Sequence, residues 1–317
     1  MSVQIAVIDD WQNVASGVVD WSVLASVGQV HFLHDYPADT ATLIERLQGF
    51  EVICVMRERT PFDQALLQGL PRLKLLVTGG MRNAALDIPA AKALGIQVCG
   101  TDSYKHAAPE LTWALIMAST RNLLAEANSL RAGGWQVGLG GDLYGKTLGI
   151  LGLGSIGQKI AKYGQAFGMR VIAWSENLTP ERAAEAGVTW VSKRELFEQA
   201  DVLSIHLVLS DRSRGLVDAE ALGWMKPAAR LVNTSRGPIV DEAALIDALT
   251  HGRLAGAALD VYAQEPLPDG HPFRQLPNVL ATPHVGYVSE QNYRQFYEQM
   301  IEDIQAWAKG VPVRPLS

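Results

Sequence analysis

Short apolar runs alternate with amphipathic stretches along the first hundred residues. Gln4–Ile8, Gln29–Leu33, Val52–Met56, Leu73–Thr78 and Ile96–Cys99 are rich in β-branched residues and read as strands, while Thr40–Gln48 keeps its apolar positions at helical spacing. The runs are apolar almost throughout, as parallel strands covered on both faces should be. Thr60 followed by Pro61 offers an N-cap and a proline at the first helical position, so a helix is expected to begin there and end near Gly69. From Ala107 to Arg131 one long helical pattern follows, with Leu111, Leu115, Met117, Leu123, Leu124 and Leu130 on its apolar positions. It is expected to be a single connecting helix. "RAGGWQVGLGGDLYG" then interrupts all regular structure with its six glycines.

A second alternating series opens at Lys146. Its expected strands are Thr147–Leu151, Arg170–Trp174, Thr189–Val191, Val202–Leu207, Arg230–Asn233, Gly256–Val261 and Val279–Thr282. Ser192 with Glu195 forms a capping box, Asp241 opens a helix that stops near Gly252, and a last helix spans about Ser289 to Lys309. No period of 20 to 50 residues recurs and no segment is low in complexity, which removes solenoids and propellers. Two doubly wound α/β domains are therefore expected, and a length of 317 residues suffices for both cores.

Composition narrows the partners. With 27 Lys and Arg against 33 Asp and Glu, the formal charge is −6 and the basic residues are scattered, so nucleic acid is not an expected partner. Cys54 and Cys99 are isolated thiols in apolar runs, which suits a reducing, cytoplasmic setting. No run reaches the about 18 consecutive apolar residues of a membrane span. No HxxxH or Cys/His spacing suggests a metal, and His31, His34, His106, His251 and His271 lack any setting that points to chemistry.

The chemistry begins at "LGILGLGSIGQKIA". A strand feeds a helix through Gly152-Leu153-Gly154-Ser155-Ile156-Gly157. In that context Gly152 permits the tight turn, Gly154 admits a pyrophosphate to the backbone, and Gly157 lets helix and strand pack closely, with the helix N-terminus facing the phosphates. Glu176 follows 19 residues after Gly157, where a carboxylate can accept from the ribose hydroxyls of NAD. A 2′-phosphate would be repelled there, and Ser175 to Thr179 holds no Arg or Lys to neutralise it. Downstream, Arg236, Glu265 and His284 each follow a strand, where open parallel sheets bind their ligands. A guanidinium can hold a carboxylate, an imidazole can exchange a proton with an adjacent oxygen, and a carboxylate can fix the imidazole's tautomer. His206 ends a strand where backbone near the adenine is plausible, and it is not assigned to catalysis.

Through "LGILGLGSIGQKIA", "NTSRGPIVDEAAL", "GAALDVYAQEPLPDGHPF" and "LPNVLATPHVG", the chain resembles the D-isomer-specific 2-hydroxyacid dehydrogenases over essentially its whole length. The resemblance implies a Rossmann NAD-binding domain, 102–286, inserted in a flavodoxin-like substrate-binding domain made of 1–101 and 287–317. It implies an active site in the cleft between them and a homodimer formed through the NAD-binding domain. It makes Arg236 the substrate-binding arginine, Glu265 the acid paired with the histidine, and His284 the general acid/base of hydride transfer between a 2-keto acid and a D-2-hydroxy acid. It places Ser155, Ile156, Ser175, Glu176, His206, Leu207, Val208, Thr234, Ser235, Asp260 and Gly286 along the cofactor, Asp260 at the nicotinamide amide. In "TGGMRN" it gives Gly80 and Met81 to the substrate carboxylate, and Arg57 stands where a second anionic group of the substrate would reach. Ser175 replaces the family's commoner aspartate, which bears on NAD against NADP. Glu265, where formate dehydrogenases have glutamine, points to a 2-keto acid. A phosphite- or formate-type dehydrogenase and an NAD-sensing, corepressor-like protein are the alternatives.

Overall fold

The computed structural model describes residues 2–35 and 39–316. The chain divides into two compact units, Met1–Tyr104 with Val288–Ser317, and Lys105–Tyr287. The second unit thus lies, in sequence, inside the first.

The first unit is built on β1 (Val3–Val7), β2 (Gly28–Phe32), β3 (Val52–Val55), β4 (Leu75–Thr78) and β5 (Gln97–Gly100), which form a parallel sheet in the order β2-β1-β3-β4-β5. That is the flavodoxin-like order. β3 and β4 are buried along their whole length, so each alternate side chain meets a covered face, as their uninterrupted apolar sequence requires. The C-terminal helix Glu290–Ala308 lays Phe296, Tyr297, Met300 and Ile304 into this unit's core. Beyond it, the chain bonds to the free edge of β5 through Arg314 O to Gly100 N and Leu316 N to Val98 O.

One expected helix start is wrong. Thr60 does not cap a helix: its buried hydroxyl donates to Asp9 Oδ1 at 2.6 Å, and the helix runs over Gln64–Gln68 with Asp63 accepting from Leu66 N. A buried hydroxyl beside a buried carboxylate is worth more as its donor than as a cap three residues early.

The second unit carries β6 (Thr147–Leu151), β7 (Arg170–Trp174), β8 (Thr189–Trp190), β9 (Val202–Ile205), β10 (Arg230–Asn233), β11 (Gly256–Leu259) and β12 (Val279–Ala281). All are parallel, in the order β12-β11-β10-β9-β6-β7-β8. Strand order reverses between β6 and β9, the Rossmann switch point. β9 and β11 end two residues earlier than their apolar runs: His206 N and Asp260 N still donate to Leu151 O and Asn233 O of the neighbouring strands, and the chain then turns into the loops above the sheet. The expected Ser192–Glu195 capping box and the Asp241 cap are both present.

The expected single helix over 107–131 is two, Ala107–Thr120 and Leu123–Arg131. Asn122 breaks it in the left-handed conformation, at φ 52°, which asparagine adopts more readily than most residues. Its side chain donates to Leu139 O and Gly141 N donates to Thr120 O, so the glycine-rich segment folds back on the break. Apolar periodicity continues across a two-residue break and therefore does not reveal it.

Candidate active site

The glycine turn joins β6 to the helix Ser155–Ala166. Gly152 has φ +104°, and a Cβ there would lie 2.7 Å from His206 O; a Cβ on Gly157 would lie 2.2 Å from Gly152 O. Both positions exclude a side chain. Gly154 faces open space, and the helix it precedes has no side-chain cap, whereas Asp39, Asp63, Asp87, Thr179, Ser192, Asp218 and Asp241 cap others. Uncapped amides at a helix N-terminus behind an open glycine fit a pyrophosphate. Trp174 O accepts from Gly152 N at 3.0 Å, which brings the end of β7, with Ser175 and the exposed Glu176, beside the turn. Ile156 and Val208 are exposed apolar side chains on this edge.

His206 follows β9 with its Nε2 2.8 Å from Ser204 Oγ, and burial pushes its pKa down to about 3. It is a neutral imidazole, unsuited to giving up a proton near neutral pH. Thr234 Oγ1 meets Thr112 Oγ1 at 2.7 Å, and Ser235 Oγ donates to Ile205 O.

Because β10, β11 and β12 are neighbours and parallel, the loops carrying Arg236, Glu265 and His284 leave the same edge of one sheet. Asn233 shapes the first loop, accepting from Ser235 N and donating to Arg236 O; Arg236 Nη1 donates to Ser235 O at 2.8 Å. Gly237 lies flat on the next loop, since a Cβ there would fall 2.0 Å from the carbonyl carbon of Tyr262. His284 Nδ1 lies 2.5 Å from Glu265 Oε2, while Glu265 Oε1 accepts from Tyr262 N at 2.9 Å. The carboxylate is thus held at both oxygens, and it claims Nδ1 so that Nε2 is the ring atom left to face a ligand.

His284 sits at φ +51°, an uncommon conformation for a side chain of its size. Asp260 holds it there. Its fully buried carboxylate accepts from Thr282 Oγ1 at 2.6 Å, Val285 N at 2.8 Å and Gly286 N at 2.8 Å, bracketing His284 on both sides. Burial nonetheless raises the Asp260 pKa above the ordinary carboxylate value, against the lowering effect of those donors. Tyr262 adds a fourth tie, its hydroxyl donating to Thr282 O at 2.8 Å.

In the first unit, "TGGMRN" follows β4. Gly80 has φ +95° and its N–H donates to Thr101 Oγ1 at 2.8 Å, so that amide is engaged within the protein; Met81 is exposed. Arg57, at φ +58°, donates from Nη1 to Gly79 O, and a Cβ on Gly80 would collide with the same nitrogen. The Arg57 guanidinium is therefore packed on the loop that sequence reasoning assigned to a substrate carboxylate.

Residues 113–286 match the family model described as the NAD-binding domain of D-isomer specific 2-hydroxyacid dehydrogenases. The chain belongs to this family. It is 39% identical over 285 residues to a glyoxylate reductase of Aeropyrum pernix, covering 86% of this chain and 84% of that one. It is 35% identical over 307 residues to a glycerate dehydrogenase of Methylorubrum extorquens, covering 92% and 95%. A crystal structure of a phosphoglycerate oxidoreductase from Vibrio cholerae superposes with a TM-score of 0.93 at 39% identity, over 98% of this chain and 100% of that one. The chain is accordingly an oxidoreductase of the 2-hydroxyacid dehydrogenase type that uses a nicotinamide dinucleotide. Among the described residues, no helix is long and apolar enough to cross a membrane.

One histidine dismissed on sequence grounds has a setting after all. His271 Nε2 lies 3.1 Å from Glu242 Oε1, and Glu242 Oε2 accepts from Ala263 N, two residues before Glu265. A proline after His271 in "GHPF" and a carboxylate at the first position of the 242–250 helix are the only sequence signals, and neither names its partner.

Proposed function

We propose that the enzyme interconverts a 2-keto acid and a D-2-hydroxy acid with NAD(H), His284 acting as general acid/base, Glu265 as its partner and Arg236 as the substrate-binding cation. The observation that supports this most strongly is the 2.5 Å contact of His284 Nδ1 with Glu265 Oε2, on the sheet edge that also presents Arg236. When bound, the reduced nicotinamide supplies the hydride. The backbone amides at Ser155 and Ile156 hold the pyrophosphate, and Glu176 accepts from the adenosine ribose, which favours NAD over NADP. Asp260 stands at the nicotinamide amide, and Thr234, Ser235, Gly286 and the 206–208 backbone line the cofactor, with His206 toward the adenine.

Arg236 takes the substrate carboxylate through its planar fork and polarises the adjacent carbonyl. As the carbonyl carbon is reduced, His284 delivers a proton from Nε2 to the oxygen, and Glu265 stabilises the imidazolium beforehand through Nδ1. The reverse direction runs through the same atoms. We also propose a homodimer through the NAD-binding unit, where Leu123, Leu124, Leu130, Trp135, Leu139 and Tyr144 are exposed.

Following NADH absorbance against glyoxylate, hydroxypyruvate, pyruvate, oxaloacetate and bulkier 2-keto acids, and repeating the best with NADPH, tests the reading. Turnover of at least one acid with a higher kcat/KM for NADH is expected. Inertness to the whole panel would remove the reaction, and a preference for NADPH would remove the role of Glu176.

A further inference from the structure

Glu265 owes its direction to a short segment of chain, and that segment is held from outside. After β11 the backbone turns through Tyr262, Ala263 and Gln264 before presenting Glu265 to His284. Tyr262 N is committed to Glu265 itself. The next amide, Ala263 N, is accepted by Glu242 Oε2 at 3.1 Å. Glu242 comes from another loop, at the first position of the helix that follows Arg236-Gly237-Pro238. Its other oxygen, Oε1, meets His271 Nε2 at 3.1 Å. His271 in turn accepts from Phe273 N through Nδ1 at 3.2 Å and lies against the Phe273 ring, centroids 5.0 Å apart. Accepting at Nδ1 leaves the neutral ring its proton on Nε2, directed at Glu242. The pair is largely withdrawn from water, with side-chain exposures of 14% for His271 and 26% for Glu242. Arg274 closes the same segment by donating to Pro268 O and Leu267 O.

We propose that His271 and Glu242 are positioning residues for the reaction: a second His–Glu pair that fixes the 262–264 turn and thereby aims the Glu265 carboxylate at His284. The inference rests on the reading of Glu265 and His284 given above. A carboxylate whose two oxygens each accept one directed donor has little freedom to rotate, and a displacement of about 1 Å near the reacting groups can cost 10²-fold in rate. The described contacts of His271 and Glu242 run to each other and to the amides of Ala263 and Phe273, so their loss should appear in kcat and not in KM.

The two nitrogens of His271 can be tested apart. Asparagine reproduces an acceptor at the Nδ1 position but does not reach Glu242; glutamine reproduces a donor at the Nε2 position and loses the cap on Phe273 N. His271→Asn and Glu242→Gln are each expected to lower kcat on the order of tenfold, with KM for the keto acid and for NADH within twofold of wild type. His271→Gln is expected to keep kcat within about threefold while lowering Tm. In a Glu265→Ala background, neither Glu242→Gln nor His271→Asn should reduce kcat further, since their route is already gone. An unchanged kcat in both single variants, a kcat that tracks Tm across the three, or losses that multiply with Glu265→Ala would overturn the proposal. A Glu265→Ala enzyme with wild-type kcat would instead overturn the parent reading, and this inference with it. The two failures are distinguished by that one variant.

Discussion

A carboxylate taken out of water beside an incomplete set of donors keeps its proton longer than a solvated one. Asp303, on the C-terminal helix, is fully buried, and its Oδ1 lies 3.3 Å from Arg314 Nη2. Burial, only partly offset by that guanidinium, raises its pKa from 3.8 to about 7. A raised pKa in the folded state means the folded protein binds the proton more tightly than the unfolded chain. Its contribution is therefore fully favourable below about pH 4 and is lost as pH climbs through about 7. Wild type should lose stability relative to Asp303→Asn across that window and then level off. Urea unfolding of both proteins at a series of pH values measures the difference; a flat or rising difference would contradict the burial argument. At this scale the sequence was most informative where a residue type has few alternatives. Arg236, Glu265 and His284 could be named because each follows an apolar run in a proline- or glycine-marked loop. The settings of His271, Glu242 and Tyr262 could not be read, because their contacts join loops 20 to 30 residues apart, which no local pattern records.

Elements were legible in proportion to how far their own residues decide them. Strands buried on both faces must be apolar throughout, and every expected strand is present. The Ser192–Glu195 box is local chemistry and was visible for that reason. Thr60 was misread because a distant carboxylate, Asp9, claims its hydroxyl. The helix break at Asn122 was missed because apolar spacing survives it. That break starts the segment on which the proposed dimer depends. Leu139 is 96% exposed and Trp135 73%, large apolar side chains left in water on a segment whose backbone is tied to the 123–131 helix and its break. The protein is expected to sediment at twice the chain mass at micromolar concentration, and Leu130→Arg to shift it toward the single-chain mass. A wild type that runs as one chain would require another explanation for this surface.

The whole molecule combines a 2-1-3-4-5 sheet and a Rossmann sheet, both of parallel strands, and doubly wound sheets take their ligands at the carboxyl ends of such strands. That edge is where a doubly wound sheet can converge groups distant in sequence. Arg236 and His284 lie 48 positions apart, yet the adjacency of β10, β11 and β12 brings their loops to one place. Strand adjacency is a property of topology, so the sequence could name the three residues and not that their loops share one sheet edge. Relatives named glyoxylate reductase and glycerate dehydrogenase carry different substrates in their names, so membership of the family does not by itself fix the acid. The chemistry is separable from it. Single-turnover oxidation of bound NADH by the preferred keto acid, compared between wild type and His284→Ala, measures the proton-transfer role alone. The hydride-transfer rate should fall by roughly 10²–10⁴ while the Kd for NADH stays within about twofold. A variant that transfers hydride at the wild-type rate would contradict the assignment of His284.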